Sequence, residues 1–149
     1  MNLGLKSRKG FITGGTWCVD HNKLVKDWPK EEEVAEIIEE HIRGGGSACN
    51  LAIDLKRLDP SLPVSTIGLV GEDEGGRQLF QQALEVGLET KLLLTTAIVK
   101  TQKTDAYTAS SSGRRTHLYF AGTAKYLTPD HGDFSQTNAR FLHLGLPGV

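Results

Sequence analysis

Cysteine is scarce in this chain and long hydrophobic runs are missing, and each deficit excludes a class of protein. Only two of the 149 residues are cysteine, Cys18 and Cys49, so a disulfide scaffold is excluded and a reducing, cytoplasmic setting is expected. The longest largely apolar run, LLLTTAIV, has eight residues, whereas a membrane-spanning helix needs about 20. We therefore expect a cytoplasmic protein that has no membrane partner.

The chain also lacks an excess of charge of either sign and lacks metal-binding spacings. Its 17 Lys and Arg residues balance 18 Asp and Glu residues, so there is no electrostatic basis for binding nucleic acid. The five histidines show neither the H-x-x-x-H nor the H-E-x-x-H spacing of a metal site; they are His21, His41, His117, His131 and His143. We expect no metal site and no nucleic-acid partner.

Glycine, with 17 residues, is abundant, and the chain alternates between apolar runs and amphipathic stretches. The run VSTIGLVG at 64–71 predicts a buried strand, and EDEGGRQLFQQALEVG at 72–87 predicts an amphipathic helix that stops at Gly87. The side chains expected to face inward from this helix are Leu79, Phe80, Ala83 and Leu84. An earlier helix is expected from Ser47, as its N-cap, to Leu58. Strands that alternate with helices predict an α/β fold with a mostly parallel sheet.

Shorter β-rich stretches surround these elements. Further strands are predicted at 10–17, 18–25, 92–99, 104–110, 115–120 and 140–149. The residues Ser111–Gly113 between two of them predict a hairpin turn. The stretch TPDHGDF at 128–134 is typical of a helix start.

Residues 31–43 fit two structures. Val34, Ile37, Ile38 and Ile42 fall at helical spacing, and the glutamates between them are good helix formers. Glu36, Ile38, Glu40 and Ile42 also alternate as the residues of a strand would. Periodicity alone favours the helix.

The stretch GGGSACN at 44–50, directly before the first predicted helix, allows several kinds of site. It matches neither G-x-x-x-x-G-K-[ST] nor G-x-G-x-x-G, so a nucleotide phosphate loop is disfavoured. Cys49 lies near a helix N-terminus, where the pKa of a thiol falls, but a small buried apolar residue is the favoured interpretation. Bare glycine backbone, the amide of Asn50 and the carboxylate of Asp20 suit the hydroxyls of a neutral polyol. An ordinary loop with Asn50 at the surface is the alternative that these residues leave open.

Two motifs in order resemble the N-terminal half of the PfkB, or ribokinase-like, family of sugar kinases. The first is a Gly-Gly turn followed by Asn and a small residue, here Gly45, Gly46, Asn50 and Ala52. The second is G-x-V-G-x-D-x-x-G, here Gly68, Val70, Gly71, Asp73 and Gly76. The resemblance extends from about Gly10 to Val149. One departure is Asp59, which stands where the family usually has glycine and precedes about two extra residues.

The resemblance implies a ribokinase-like α/β fold, in which a mostly parallel sheet is flanked by helices and a small β lid covers the sugar. The lid strands would lie near 18–26, 35–43 and 104–121, which overrules the helix that periodicity favours before the Gly-Gly turn. Residues 1–149 would form the N-terminal portion of such a kinase domain.

The implied activity is transfer of the γ-phosphoryl group of ATP, with Mg²⁺, to a hydroxyl of a sugar or nucleoside. The substrate-binding residues that the resemblance implies are Asp20, Asn22, Gly45, Gly46 and Asn50. Their role would be positioning, which is much of the catalysis in phosphoryl transfer. Lid strands of this family often pair between subunits, so a homodimer through the lid is also implied.

Two family motifs are missing from this sequence. No Gly-Ala-Gly-Asp run, which holds the catalytic aspartate and an anion hole, occurs anywhere, and no asparagine is followed three residues later by glutamate. Family members are about twice as long. We therefore expect this chain to be a truncated kinase with the sugar-binding part only, with no catalytic residue and no bound cofactor, and to be inactive alone.

Two other functions compete with the kinase fragment. A non-catalytic module that binds sugar or forms dimers would bind sugar without ATP. A small Rossmann-type nucleotide binder would bind NAD, and would need its first glycine turn between a strand and a helix. Among kinase substrates, ribose, a ketohexose, a deoxy-keto sugar acid and a nucleoside all remain open.

Overall fold

The described residues, 7–145 in a computed structural model, form two four-stranded sheets and two α-helices. The strands are β1 (Phe11–Gly15), β2 (Cys18–Val25), β3 (Ile37–Gly45), β4 (Val64–Gly71), β5 (Glu89–Thr96), β6 (Gln102–Ala109), β7 (Arg115–Phe120) and β8 (Phe141–Gly145). The helices are α1 (Ser47–Leu58) and α2 (Glu74–Glu85). Short 3₁₀ turns span Gly122–Tyr126, Pro129–His131 and Phe134–Gln136.

The main sheet is parallel throughout and carries the core. Its strand order is β5-β4-β1-β8, and α1 and α2 pack against its central strands. All eight residues of β4 are buried, as expected of a strand inside a parallel sheet. Trp17, Val70 and Leu79 are among the most deeply buried side chains between this sheet and the helices. The expected α/β fold, with a parallel sheet and flanking helices, is confirmed.

The second sheet is mixed and stands beyond the carboxyl end of β1; we name it the lid sheet after the predicted lid strands that it contains. Its order is β3-β2-β6-β7, with β2 and β6 parallel and the two outer pairs antiparallel. The chain passes from β1 into β2 and β3 of the lid sheet and returns through Gly46 into α1.

Within the stretch of ambiguous periodicity, residues 37–43 belong to a strand, β3, and residues 31–36 are in neither a helix nor a strand. β3 pairs with β2 along its length, from Cys18 opposite Gly45 to Val25 opposite Ile37. The helical spacing misled because Ile37, Ile38 and Ile42 are all about half exposed, so they do not mark the inner face of a helix. Backbone pairing with β2 decides the conformation here.

Two details of the helices differ from expectation and one agrees with it. Gly46, not Ser47, is the N-cap of α1, and Ser47 is its first helical residue. Leu84 is 50% exposed, so it does not face inward from α2, whereas Leu79 and Ala83 are buried. Gly87 adopts the left-handed conformation, with φ of +75°, and its N–H donates to the carbonyl of Leu84, which confirms it as the stop.

The last part of the described chain is built from turns. Residues 128–134, expected to start a helix, form two 3₁₀ turns and no α-helix. The final predicted strand is present as β8 up to Gly145, and its residues 146–149 lie outside the described part. No helix among the described residues is long and apolar enough to cross a membrane.

Candidate functional site

The direction in which successive strands are added to the main sheet reverses between β1 and β8. From β1 the chain reaches β4 and then β5 on one side, while β8 pairs with the other side of β1. In open parallel sheets, ligands bind outside the carboxyl ends of the strands at such a switch point. The N-terminus of α1 and the base of the lid sheet both lie at this place.

Hydrogen bonds of Ser47 connect the elements that meet at the switch point. Its hydroxyl Oγ donates to the carbonyl oxygen of Gly145 at 2.7 Å, and its backbone N–H donates to Oγ1 of Thr16 at 3.1 Å. The N–H of Ala48 donates to the carbonyl of Thr16 at 3.2 Å. The ends of β1 and β8 and the first turn of α1 are therefore held in one rigid arrangement.

Glycine is required where α1 meets β1. Gly46 has φ of +98°, and a Cβ there would lie 2.3 Å from the carbonyl oxygen of Thr16. Because that neighbour is backbone, it cannot move aside for a side chain. The glycine of the turn thus lets the helix begin directly against the strand.

Asp20, on β2, is seated against the glycine turn. A Cβ on Gly45 would lie only 2.0 Å from Oδ2 of Asp20, so the carboxylate occupies the space that a side chain at Gly45 would fill. The thiol of Cys18 donates to Oδ1 of Asp20 at 3.1 Å. Among the described residues the carboxylate has no ion pair, and its charge is available to a ligand.

Two thiols lie beside this carboxylate. Cys49 is fully buried, and its burial, reinforced by the negative charge of Asp20, raises the pKa of its thiol to about 12. Burial, the hydrogen bond to Asp20 and the charge of Asp20 likewise raise the pKa of Cys18. Both thiols are therefore protonated at neutral pH and are poor nucleophiles. This agrees with the interpretation of Cys49 as a small buried residue.

The side chains of the lid sheet fall on two faces. Alternation along a strand and alignment between parallel partners put one set on the same face as Asp20. We name it the Asp20 face; its members on β2 and β6 are Cys18, Asp20, Asn22, Gln102, Thr104 and Ala106. The opposite face carries Lys23, which is ion-paired with Asp105 and lies 3.5 Å from Glu40. The charged network is thus kept off the face that holds Asp20.

The structure brings some of the predicted site residues together and leaves others apart. Asp20, Gly45 and Gly46 meet at the base of the lid sheet, and Asn22 lies half-buried two residues further along the Asp20 face. Asn50 is exposed on α1 and lines a cavity of about 560 Å³ between α1 and α2, together with Gly44. Its side chain makes no hydrogen bond within the described part of the chain.

Sequence reasoning missed three residues of the Asp20 face, namely Cys18, Gln102 and Thr104. Strand alternation could have predicted Cys18, because it lies two residues before Asp20 on the same strand. Gln102 and Thr104 come from a strand more than 80 positions later, and only the pairing of β2 with β6 places them here.

The described residues do not supply the ligand set of a Mg²⁺ site. No group of three or more His, Cys, Asp or Glu side chains that could hold a metal ion occurs in the part of the chain that the structure describes.

The parallel sheet with its separate lid sheet has the ribokinase-like fold. The chain superposes on ribokinase from Thermotoga maritima with a TM-score of 0.79 and 16% identity, covering 90% of this chain and 44% of that one. A nucleoside kinase from Methanocaldococcus jannaschii gives 0.75 and 21%, covering 93% and 45%. Arabidopsis thaliana ribokinase complexed with ribose and ATP gives 0.75 and 20%, covering 92% and 45%. The chain spans less than half the length of these solved structures.

Comparison of the amino-acid sequence agrees with this fold and also identifies the family. The profile of the pfkB family carbohydrate kinases matches residues 14–145. No curated protein sequence matches significantly. The chain belongs to the pfkB family of carbohydrate kinases, a family of sugar and nucleoside kinases.

Proposed function

We propose that this chain supplies the sugar-binding part of a cytoplasmic kinase that transfers the γ-phosphoryl group of ATP, with Mg²⁺, to a hydroxyl of a sugar or nucleoside. The observation that carries the proposal is the position of Asp20. Its carboxylate, which forms no ion pair with described residues, lies against Gly45 at the base of the lid sheet, next to the switch point of the main sheet.

The chemistry of this position suits a polyol. A carboxylate accepts hydrogen bonds from two neighbouring hydroxyls, and the bare backbone of Gly45 lets the Asp20 carboxylate pack directly against the turn. Asn22 would add an amide further along the lid sheet, and Asn50 would add one if its side chain turned from the neighbouring cavity. The role of these groups is to hold the accepting hydroxyl in place.

The phosphate-handling groups would come from residues outside this chain. The sequence contains no Gly-Ala-Gly-Asp run, and the described residues hold no metal cluster. We therefore expect the chain alone to be inactive as a kinase. Support for ATP as donor comes from the similar Arabidopsis ribokinase, which was crystallised with ribose and ATP.

Titration calorimetry of the 149-residue chain with pentoses, ketohexoses and nucleosides, each without ATP, tests the proposal. We expect one class to bind, Asp20→Asn to weaken that binding at least tenfold, and Asp27→Asn, an exposed position just after β2, to leave it unchanged. An assay for sugar-dependent ATP hydrolysis should give no signal. The absence of binding to any of these ligands, or equal binding by Asp20→Asn, contradicts the sugar site, and ATP turnover by this chain contradicts the division of roles.

A dimerising module is the second candidate, and the edges of the lid sheet favour it. Both edge strands expose apolar side chains, which are Ile37, Ile38 and Ile42 on β3 and Leu118, Tyr119 and Phe120 on β7. Exposed edge strands with apolar residues pair readily with another chain.

Sedimentation analysis over a range of concentrations tests this second candidate. We expect a dimer that Ile38→Lys dissociates and that Val34→Lys, at a 98% exposed position outside the strand, leaves intact. A monomer at all concentrations, or a dimer unaffected by Ile38→Lys, excludes pairing through this edge.

A further inference from the structure

Gln102 carries a buried polar atom that the protein does not satisfy. Within the described part of the chain, its side-chain oxygen Oε1 is the one buried side-chain N or O atom without a hydrogen-bond partner. Leaving such a group unpaired is unfavourable, so each case in a native fold needs an explanation. A ligand that supplies the missing hydrogen bond is one explanation, and the position of Gln102 supports it.

Gln102 lies on the Asp20 face, next to the proposed sugar site. It pairs with Cys18 in the register of β2 and β6, and the next residue of that face, Thr104, pairs with Asp20 itself. A strand spacing of ~4.8 Å and a rise of ~3.3 Å per residue put the Cα atoms of Asp20 and Gln102 roughly 8 Å apart. Two side chains and one sugar ring between them can bridge that distance.

The backbone of Gln102 is held firmly in place. Its N–H donates to Oγ1 of Thr123 at 3.3 Å. The preceding residue, Thr101, donates through both its N–H and its hydroxyl to the carboxylate of Asp73, at 2.8 and 2.6 Å. The backbone that carries the Gln102 side chain is therefore fixed, and a backbone shift cannot bring the side-chain amide into solvent.

We propose that Gln102 determines substrate specificity by hydrogen bonding to a hydroxyl of a neutral polyol whose other hydroxyls are held by Asp20. This inference rests on the proposed sugar-binding function and adds a substrate class to it. One hydroxyl donates its hydrogen to Oε1 of Gln102, while a different hydroxyl of the same ligand donates to Asp20.

A sugar acid fits this face less well. Its carboxylate would meet the charge of Asp20, which has no ion pair in the described part of the chain. The substrate class that we propose is therefore a neutral sugar or nucleoside. Arg43, opposite Asp20 in the strand register, is exposed and forms no ion pair with described residues, so tighter binding of a deoxy-keto sugar acid than of the neutral ligands would contradict this class.

Gln102→Met removes the amide while keeping the length of the side chain, and Gln81→Met on α2, an exposed position outside the cavity that Gln102 lines, is the matched control. Calorimetry would compare D-ribose, D-fructose, adenosine and their monodeoxy analogues with each variant. We expect Gln102→Met to bind the preferred ligand about tenfold more weakly, and to lose the discrimination against one monodeoxy analogue that the wild-type chain shows. The control should behave as wild type.

A thermal unfolding curve of each unliganded variant separates ligand binding from a structural role. Because the amide oxygen is unpaired in the free protein, Gln102→Met should melt no lower than the wild type. A lowered melting temperature, or unchanged affinity and unchanged discrimination among analogues, overturns the proposal for Gln102. A wild-type chain that binds none of the ligands overturns the sugar-binding function itself, which is a different result.

Discussion

Replacement of Gly45 by alanine should displace the Asp20 carboxylate and abolish sugar binding. The backbone of Gly45 is in an ordinary β conformation, so alanine is not excluded by φ. The added Cβ would lie 2.0 Å from Oδ2 and 2.6 Å from Cγ of Asp20. Contacts below about 3 Å do not persist, so the carboxylate must move by roughly an ångström or more.

Gly44 provides a matched control on the same strand. Its Cβ would point to the opposite face and meet the end of the flexible Gln82 side chain at 2.2 Å, which can rotate away. Overpacking at a site that cannot adjust costs about 1–3 kcal/mol. We expect Gly45→Ala to be less stable than Gly44→Ala by about that amount, or roughly 2–12 °C in melting temperature for a domain of this size.

A double-mutant cycle shows whether the clash is the cause. With Asp20→Ala as background, Gly45→Ala should cost no more than Gly44→Ala, because the opposing atoms are gone. Thermal and urea unfolding give the stabilities, and calorimetry gives the sugar affinity. Equal stability of the two alanine variants, or a cost that persists without Asp20, would refute the proposed contact.

Three further predictions concern residues around the site. Thr66→Val should lower the free energy of unfolding by about 1–3 kcal/mol, because the indole N–H of buried Trp17 loses its acceptor, Oγ1 of Thr66 at 3.1 Å. Urea unfolding measures this, with Thr95→Val at an exposed strand position as the control, and equal stability of the two variants would contradict the prediction. Burial opposes ionisation of Asp73, but hydrogen bonds from Thr101 and from the Gly76 N–H outweigh it and lower its pKa. Its stabilisation is therefore full above the ordinary pKa of about 4 and is lost as the pH falls through the folded pKa, and urea unfolding from pH 6 to 2 should show a flatter profile for Asp73→Asn; parallel profiles would contradict the assignment. The thiol of Cys49, with its pKa raised to about 12, should resist a thiol-specific reagent at pH 8 until the chain is unfolded in urea, and rapid native-state reaction would show that the site is open.

Local sequence chemistry determined much of the fold. The buried run of β4 and the helix that ends at Gly87 follow from apolar periodicity and from a glycine that tolerates positive φ. The paired glycine motifs identified the family because close backbone approaches, such as that of Gly46 to Thr16, allow no other residue.

Tertiary structure alone decided the remaining features. Residues 37–45 have helical spacing but form a strand, since their backbone pairs with β2 and their isoleucines stay half exposed. Leu84 fits the apolar stripe of α2 and is nevertheless 50% exposed. Gln102 joins the face of Asp20 only through strand pairing with Cys18, 84 positions earlier. Patterns within one segment report its own periodicity, whereas the composition of a site depends on which distant segments are paired beside it.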